Sequence, residues 1–85
     1  MNILDEILST YPNNLIEVAE GFDDCVIGYD YGDGSDIRLI YSVSKILDKM
    51  IRDGLSEVEA IDLFESEMRS RYSGVGSPIF CQDDL

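Results

Sequence analysis

Residues 41–80 read YSVSKILDKMIRDGLSEVEAIDLFESEMRSRYSGVGSPIF, and this segment determines how the chain folds. Its clearest local signal is Ser56 followed three residues later by Glu59, the pattern of a capping box at a helix start. Leu55 lies just outside this cap, where a hydrophobic staple residue belongs. Beyond the cap, apolar residues recur at steps of three and four, so they share one helix face that we expect to be buried. These residues are Ala60, Ile61, Phe64, Met68 and Tyr72.

Another helix precedes this one and is predicted to run from about Val43 to Arg52, with Ser42 or Ser44 as its N-cap. Gly54 follows its last turn and is expected to adopt the left-handed conformation that ends many helices. Because so short a connection separates this helix from the Ser56 cap, the two helices should fold back on each other as a helical hairpin.

This segment resembles a family of short, uncharacterised proteins from tailed phages and prophages. The family pattern reads Tyr-Asp, Lys-Ile, Asp-Gly-Met-Ser, Glu-Ala, Phe-Phe-Glu-Phe-Asn, Gly-Ala-Tyr, and Gly with Thr-Pro-Ile-Phe. The matching positions keep this spacing and are Tyr41-Ser42, Lys45-Ile46, Asp53-Gly54-Leu55-Ser56, Glu59-Ala60, Leu63-Phe64-Glu65, Tyr72, Gly74 and Ser77-Pro78-Ile79-Phe80. The departures are Ser42 for the family's Asp, Glu67 for its Asn, Ser70 for its Gly and Val75 for its Glu. The resemblance implies a phage or prophage protein and brings no known activity.

Length and composition predict one small folded domain spanning residues 1–85. A chain of this size buries only about 60 to 65% of the surface that its unfolded form exposes, so no second domain fits. The N-terminus lacks the basic region and apolar run of a signal peptide, and no stretch approaches the roughly 18 apolar residues of a membrane span. We therefore expect a protein of the host cytoplasm without membrane contact. In that reducing compartment Cys25 and Cys81 should be free thiols.

The net charge of −12 is unevenly distributed along the chain. Residues 1–37 hold nine acidic residues and no Lys or Arg, whereas all six basic residues lie between Arg38 and Arg71. In the later segment opposite charges recur at i,i+4 spacing, so the helical hairpin should be nearly neutral. The expected pairs are Asp48–Arg52, Lys49–Asp53, Glu65–Arg69 and Glu67–Arg71.

The N-terminal region is predicted to contribute two short helices. Met1–Ser9 has apolar residues at helical spacing and is followed by Tyr11-Pro12, which should end the helix. Asn14 with Glu17 three residues later repeats the cap pattern ahead of a second apolar stripe. We expect this second helix to stop near Gly21–Asp24.

Two strands and a short edge strand should complete the fold. Cys25–Tyr31 and Ile37–Tyr41 are rich in β-branched and aromatic residues and flank a Gly/Asp-rich turn, so they predict an antiparallel hairpin. Gly28 weakens a strand, so the alternative is that the first arm prolongs the preceding helix. Pro78–Cys81 fits an edge strand beside the second arm, followed by a loose acidic tail at residues 82–85. The predicted fold is α+β, with the helical hairpin packed on a small antiparallel sheet.

The sequence carries no motif for catalysis, metal binding or phosphate binding. Placing Gly34 at the sixth position of an EF-hand loop puts Tyr29 and Ile40 where calcium ligands belong, so the acidic turn is not a calcium motif. No Lys-Ser/Thr pair follows the glycines, as a P-loop requires. The chain has no His, so its cysteines lack the usual base for nucleophilic catalysis. We expect no enzyme activity, no cofactor and no metal.

Three classes of function remain. The first is an interaction protein whose acidic N-terminal half binds a basic surface of a host protein, in its narrower form a nucleic-acid-mimicking inhibitor of a defence or transcription protein. The second is an accessory or assembly protein whose charge only maintains solubility. The third is an enzyme or metal protein, for which the sequence offers no motif. The negative charge of the chain disfavours direct nucleic-acid binding. The sequence leaves the oligomeric state open. The candidate partner-binding residues are Asp23, Asp24, Asp30, Asp33 and Asp36, which have no basic neighbour in sequence.

Overall fold

A computed structural model describes residues 3–12, 15–31, 37–72 and 76–83. These residues form three α-helices and a three-stranded mixed sheet, which confirms the small α+β fold. None of the helices in these ranges is long and apolar enough to cross a bilayer. The helices are α1 (Ile3–Thr10), α2 (Val43–Arg52) and α3 (Glu57–Leu63), and the strands are β1 (Val26–Asp30), β2 (Arg38–Ser42) and β3 (Ile79–Cys81). A 3-10 turn (Asp23–Cys25) leads into β1, and a π-helical segment (Phe64–Arg69) continues α3.

The sheet has the strand order β1-β2-β3, with β2 in the centre. β1 and β2 form the expected antiparallel hairpin, in which Tyr29 pairs with Leu39, and this excludes a helical first arm. An irregularity between Val26 and Gly28 bends β1 near its start. β3 lies beside β2 as predicted, but it runs parallel to β2, which corrects the expectation of a fully antiparallel sheet. The helices between β2 and β3 form a crossover connection that returns the chain to the edge of the sheet where β2 begins. Such connections join parallel strands.

The helical hairpin forms as predicted. α2 spans Val43–Arg52 and is capped by Ser42, whose side-chain oxygen accepts a hydrogen bond from a backbone amide in the first turn. Gly54 has a φ of 113°, the left-handed conformation expected after the helix. The capping box of α3 is complete, because Glu59 N donates to Ser56 Oγ over 3.1 Å and Ser56 N donates to Glu59 Oε1 over 3.0 Å.

The hydrophobic core lies between the helices and one face of the sheet. Leu39 and Tyr41 of β2 are fully buried on this face. Phe64 is 2% exposed, and its ring packs edge-on against the ring of Phe80 in β3 with a centroid distance of 5.3 Å. Phe64 therefore joins the helical hairpin to the sheet.

The buried face of the second hairpin helix is narrower than predicted. Ala60, Phe64 and Met68 are buried, as expected. Ile61 is 42% exposed, so the prediction that it belongs to the core is wrong. The three buried residues follow one another at steps of four, and Ile61 lies about 100° around the helix from Ala60, which moves it to the edge of this face.

The N-terminal region contains one of its two predicted helices. α1 forms, but the chain between α1 and the 3-10 turn is irregular, and the predicted cap residue Asn14 lies outside the described residues. Backbone amides of this segment bind distant acceptors instead of helical ones. Glu17 N donates to Gly76 O over 3.0 Å, and Ala19 N donates to the Tyr41 hydroxyl over 2.9 Å. These tertiary hydrogen bonds replace the predicted second helix.

The start of the predicted loose tail, residues 82–85, is held against the fold. The Asp83 carboxylate accepts hydrogen bonds from Ser42 Oγ over 2.6 Å and from Ser44 N over 3.0 Å. Asp83 thereby places a negative charge at the N-terminus of α2, which the helix dipole favours. Residues 84 and 85 lie outside the described ranges.

Arg69 also connects the helical hairpin to the C-terminal segment. Its Nε lies 3.1 Å from the Glu65 carboxylate, and Nη2 donates to Gln82 Oε1 over 2.8 Å. The guanidinium carbon lies 5.1 Å from the centroid of the Phe64 ring. Of the four i,i+4 ion pairs expected on the helices, Glu65–Arg69 is the one that the described residues form. Fewer of the hairpin's charges are therefore paired within a helix than predicted.

Candidate interaction surface

The described residues among the acids predicted to bind a partner do not form one patch. Asp23 and Asp24 lie in the 3-10 turn before β1, and Asp30 is the last residue of that strand. β1 spans about 13 Å at about 3.3 Å per residue, so these carboxylates lie at opposite ends of the strand. Asp33 and Asp36 lie outside the described residues. The described acids thus belong to two separate surfaces.

Two of these acids lie opposite basic residues of other elements. Lys49 Nζ lies 3.5 Å from the Asp24 carboxylate, so Lys49 pairs with the 3-10 turn and not with Asp53. A backbone hydrogen bond and, second, the charge of Lys49 hold the pKa of Asp24 below its ordinary value. Asp30 is the register partner of Arg38 across the β-hairpin. The tertiary structure therefore supplies the basic neighbours that these carboxylates lack in sequence.

Three of the five tyrosines form a contact cluster that the sequence analysis did not identify. The ring centroids of Tyr11 and Tyr29 lie 5.4 Å apart, and those of Tyr11 and Tyr31 lie 5.6 Å apart. The hydroxyl oxygens of Tyr11 and Tyr29 are hydrogen-bonded at 2.9 Å. Tyr29 and Tyr31 nevertheless remain 41% and 48% exposed. We call these three residues the tyrosine cluster.

A sequence signal exists for part of this cluster. Tyr29 and Tyr31 are two residues apart at the end of a strand, and residues at that spacing point to the same face. Tyr11 is 18 residues away from Tyr29 and follows a different element, so only the tertiary structure brings it to the pair.

The tyrosine cluster borders a groove between α1 and β1, which has a volume of about 520 Å³ and which we call the tyrosine groove. Apolar side chains of α1 line one side, and Tyr29 with the backbone of Gly28 lines the other. Ser9 and Thr10 lie at the C-terminal end of α1. The apolar side chains of α1 are those of Ile3 and Ile7, and Glu6 and Tyr11 complete the lining.

The charged residues of the two elements that form this groove have a single sign. Every charged residue within α1 and β1 is acidic, namely Asp5, Glu6 and Asp30. The hydrogen bond with Tyr29 and, second, burial raise the pKa of Tyr11 to about 12, so the Tyr11 hydroxyl stays protonated at neutral pH. The groove thus combines aromatic and apolar side chains with acidic residues on both of its walls, of which Glu6 lines the groove directly.

A second cleft, of about 560 Å³, lies between the 3-10 turn and α2 and has a different character. Its charged lining residues have both signs, with Asp24 and Asp48 against Lys45 and Arg52. Cys25 also lines it, and burial followed by the charge of Asp24 raises the pKa of its thiol to about 11. A thiol with so high a pKa is protonated at neutral pH and is a poor nucleophile.

The other chemical features are few. The two cysteines are free thiols, as predicted, with Cys25 buried and Cys81 half-buried. Within the ranges that the structure describes, no group of three or more His, Cys, Asp or Glu side chains is arranged to hold a metal ion.

Comparisons of this chain with protein-family models, with curated proteins and with solved structures give no match.

Proposed function

We propose that this protein acts by protein–protein interaction and binds a basic surface of a host protein through the tyrosine groove. The observation that carries this proposal is the tyrosine cluster, in which the rings of Tyr29 and Tyr31 are exposed. The cluster lies within residues 1–37, which include nine acidic and no basic residues. The resemblance to phage and prophage proteins is the reason for expecting a host protein as the partner.

The tyrosine cluster has the properties of a binding anchor. Tyrosine is enriched at protein interfaces because one side chain offers a large apolar area together with a hydroxyl group. Mutual ring contacts and the hydrogen bond between Tyr11 and Tyr29 already restrict these side chains. The tyrosine cluster therefore loses less side-chain entropy when a partner binds than isolated surface tyrosines would.

The charge of this region selects the kind of partner. A surface of one sign attracts molecules of the opposite sign and raises their association rate, most strongly at low salt. Acidic side chains at both α1 and β1 would repel an acidic protein or a nucleic acid. A basic protein surface is complementary both to the acidic charge of α1 and β1 and to the aromatic rings of the tyrosine groove.

Nucleic-acid mimicry, the narrower form of this proposal, requires an extended row of carboxylates. The separation of Asp23 and Asp24 from Asp30 along β1 argues for a smaller contact centred on the groove. The competing proposal is an accessory or assembly protein whose charge serves only solubility. It predicts that groove substitutions leave all binding unchanged.

The test compares three forms of the full chain immobilised for capture from a host-cell lysate. These are the native sequence, the groove variant Tyr29→Ser/Tyr31→Ser, and the control variant Asp23→Asn/Asp24→Asn at the other end of β1. Circular dichroism checks that each form is folded. A captured basic protein is then purified, and its affinity for each form is measured by calorimetry at low and moderate salt.

We expect the groove variant to bind that protein about tenfold or more weakly and the control variant to bind it nearly as the native chain does. Affinity should also fall as salt is added. Equal binding by the groove variant would overturn the proposal. Loss in the Asp23/Asp24 variant alone would assign binding to the surface of the 3-10 turn.

A further inference from the structure

We propose that the partner residue anchored in the tyrosine groove is an arginine, whose guanidinium stacks on the tyrosine cluster. This inference rests on the proposed function, because it names the side chain that the groove would select on a basic surface. The groove is lined by two kinds of group that suit a guanidinium, aromatic rings and oxygen acceptors.

The first observation is the aromatic wall. Tyr29 is 41% exposed and lines the groove together with Tyr11. Cations are attracted to the faces of aromatic rings, and this attraction grows as the cation is desolvated. A guanidinium is planar and can stack on a ring, whereas an ammonium ion acts as a compact, strongly hydrated point charge.

The second observation is the set of oxygen acceptors. Glu6 lines the groove, and a carboxylate can accept two hydrogen bonds in the forked geometry that a guanidinium offers. One hydroxyl of the Tyr11–Tyr29 pair donates to the other, so both oxygens retain lone pairs. Thr10 Oγ1 donates to the backbone carbonyl of Glu6 over 2.8 Å and likewise keeps its acceptor capacity.

The third observation is the mixed polarity of the lining. Ile3 and Ile7 bring apolar surface into the groove, so an entering cation must give up part of its hydration. A guanidinium is more weakly hydrated than an ammonium ion, so it loses less hydration free energy when it enters the groove. Among the described residues that line the groove, none carries a positive charge that would compete for Glu6.

The test uses two nine-residue probe peptides that differ only in the cation. One contains three repeats of Gly-Ser-Arg and the other contains three repeats of Gly-Ser-Lys, both with blocked termini. Each is titrated at low salt into the isotopically labelled full chain, and NMR amide shifts report both the affinity and the site. The same titrations are repeated with Tyr29→Leu, Glu6→Gln and the control Asp23→Asn.

We expect the arginine peptide to bind about five- to tenfold more tightly than the lysine peptide, with shifts centred on α1 and β1. Tyr29→Leu should abolish this preference, because it removes the ring and the hydroxyl while keeping an apolar side chain. Glu6→Gln should weaken both peptides, and Asp23→Asn should change neither titration substantially. All three substituted side chains are exposed, so the variants should fold.

The possible failures separate the two proposals. Equal affinity of the two peptides, with binding at the groove that Tyr29→Leu weakens, would overturn the arginine preference and leave the proposed function standing. An arginine preference that survives Tyr29→Leu would also overturn this inference. If neither peptide shifts the amides of α1 and β1, both the inference and the groove as a site for basic partners are wrong.

Discussion

The helical hairpin and the N-terminal region contribute to one core through contacts of different range. In the hairpin, most features that start and stop the helices join residues at most five positions apart, such as the reciprocal hydrogen bonds of Ser56 and Glu59. The exception is Asp83, which binds the start of α2 from the C-terminal segment. In the N-terminal region, Glu17 binds Gly76 and Ala19 binds Tyr41, 22 residues away. The first region is therefore organised locally, and the second takes its shape from the completed core.

The tyrosine groove belongs to the region that depends on long-range contacts, since its walls are α1 and β1. Substitutions that loosen the docking of residues 15–22 should therefore disturb the groove more than substitutions within α2 and α3. The following predictions test the contrast between the two regions, beginning with the largest expected effect.

Phe64→Ala should lower the free energy of unfolding by about 3 to 5 kcal/mol, because it empties a fully packed site in the shared core. Phe64 is the residue through which the hairpin contacts Phe80 of β3. Urea denaturation followed by circular dichroism measures the loss. Ile61→Ala on the same helix is the control and should cost less than about 1 kcal/mol, since Ile61 is half-exposed. Equal losses would show that the buried face of this helix is misassigned.

Gly76→Ala should cost about 2 to 3 kcal/mol, because it disrupts the docking of the N-terminal region. Gly76 has a φ of 76°, and a Cβ atom there would lie 2.4 Å from the backbone oxygen of Leu15. Gly54→Ala is the matched control, with positive φ but open space around the added atom, and should cost about 1 kcal/mol. If the two variants unfold at the same urea concentration, the close approach of Leu15 is unimportant.

Tyr41→Phe should cost about 1.5 kcal/mol, because it leaves the buried Ala19 amide without its acceptor. The ring and its packing against Phe80 are kept, so the loss reports the hydrogen bond between the two regions. Thermal or urea unfolding measures it, and amide hydrogen exchange at Ala19 should accelerate. Tyr72→Phe serves as the control, since Tyr72 is only half-buried, and its unfolding should match that of the native chain.

Asp83 should make a pH-dependent contribution to stability, the smallest of these effects. The hydrogen bond from Ser42 and, second, that from the Ser44 amide hold the pKa of Asp83 below its ordinary value of 3.8. Because the pKa is lower in the folded state, the contribution is complete above the unfolded value and disappears as pH falls through the folded value. The difference in unfolding free energy between the native chain and Asp83→Asn should therefore be constant down to about pH 5 and shrink below it. A difference that does not change with pH would mean that the charge of Asp83 has no role.

The sequence predicted most of the helical hairpin and part of the sheet. The limits of α2, the capping box of α3, the conformation of Gly54 and the β1–β2 hairpin are all as predicted. It did not predict the irregular chain after α1 or the parallel pairing of β3. The tyrosine cluster was missed as well, although two of its members stand two residues apart in the sequence.

The features that the sequence determined by itself are those whose partners lie within one or two helical turns or within one hairpin. Side-chain caps, a glycine with positive φ and apolar periodicity act over a few residues, so their outcome changes little with the rest of the fold. The direction of β3, the capping of α2 by Asp83 and the contact of Tyr11 with Tyr29 were decided only by the tertiary structure. Each depends on which distant segment the packed core brings alongside, and a hydrogen bond to such a segment can outweigh a weak local preference for helix.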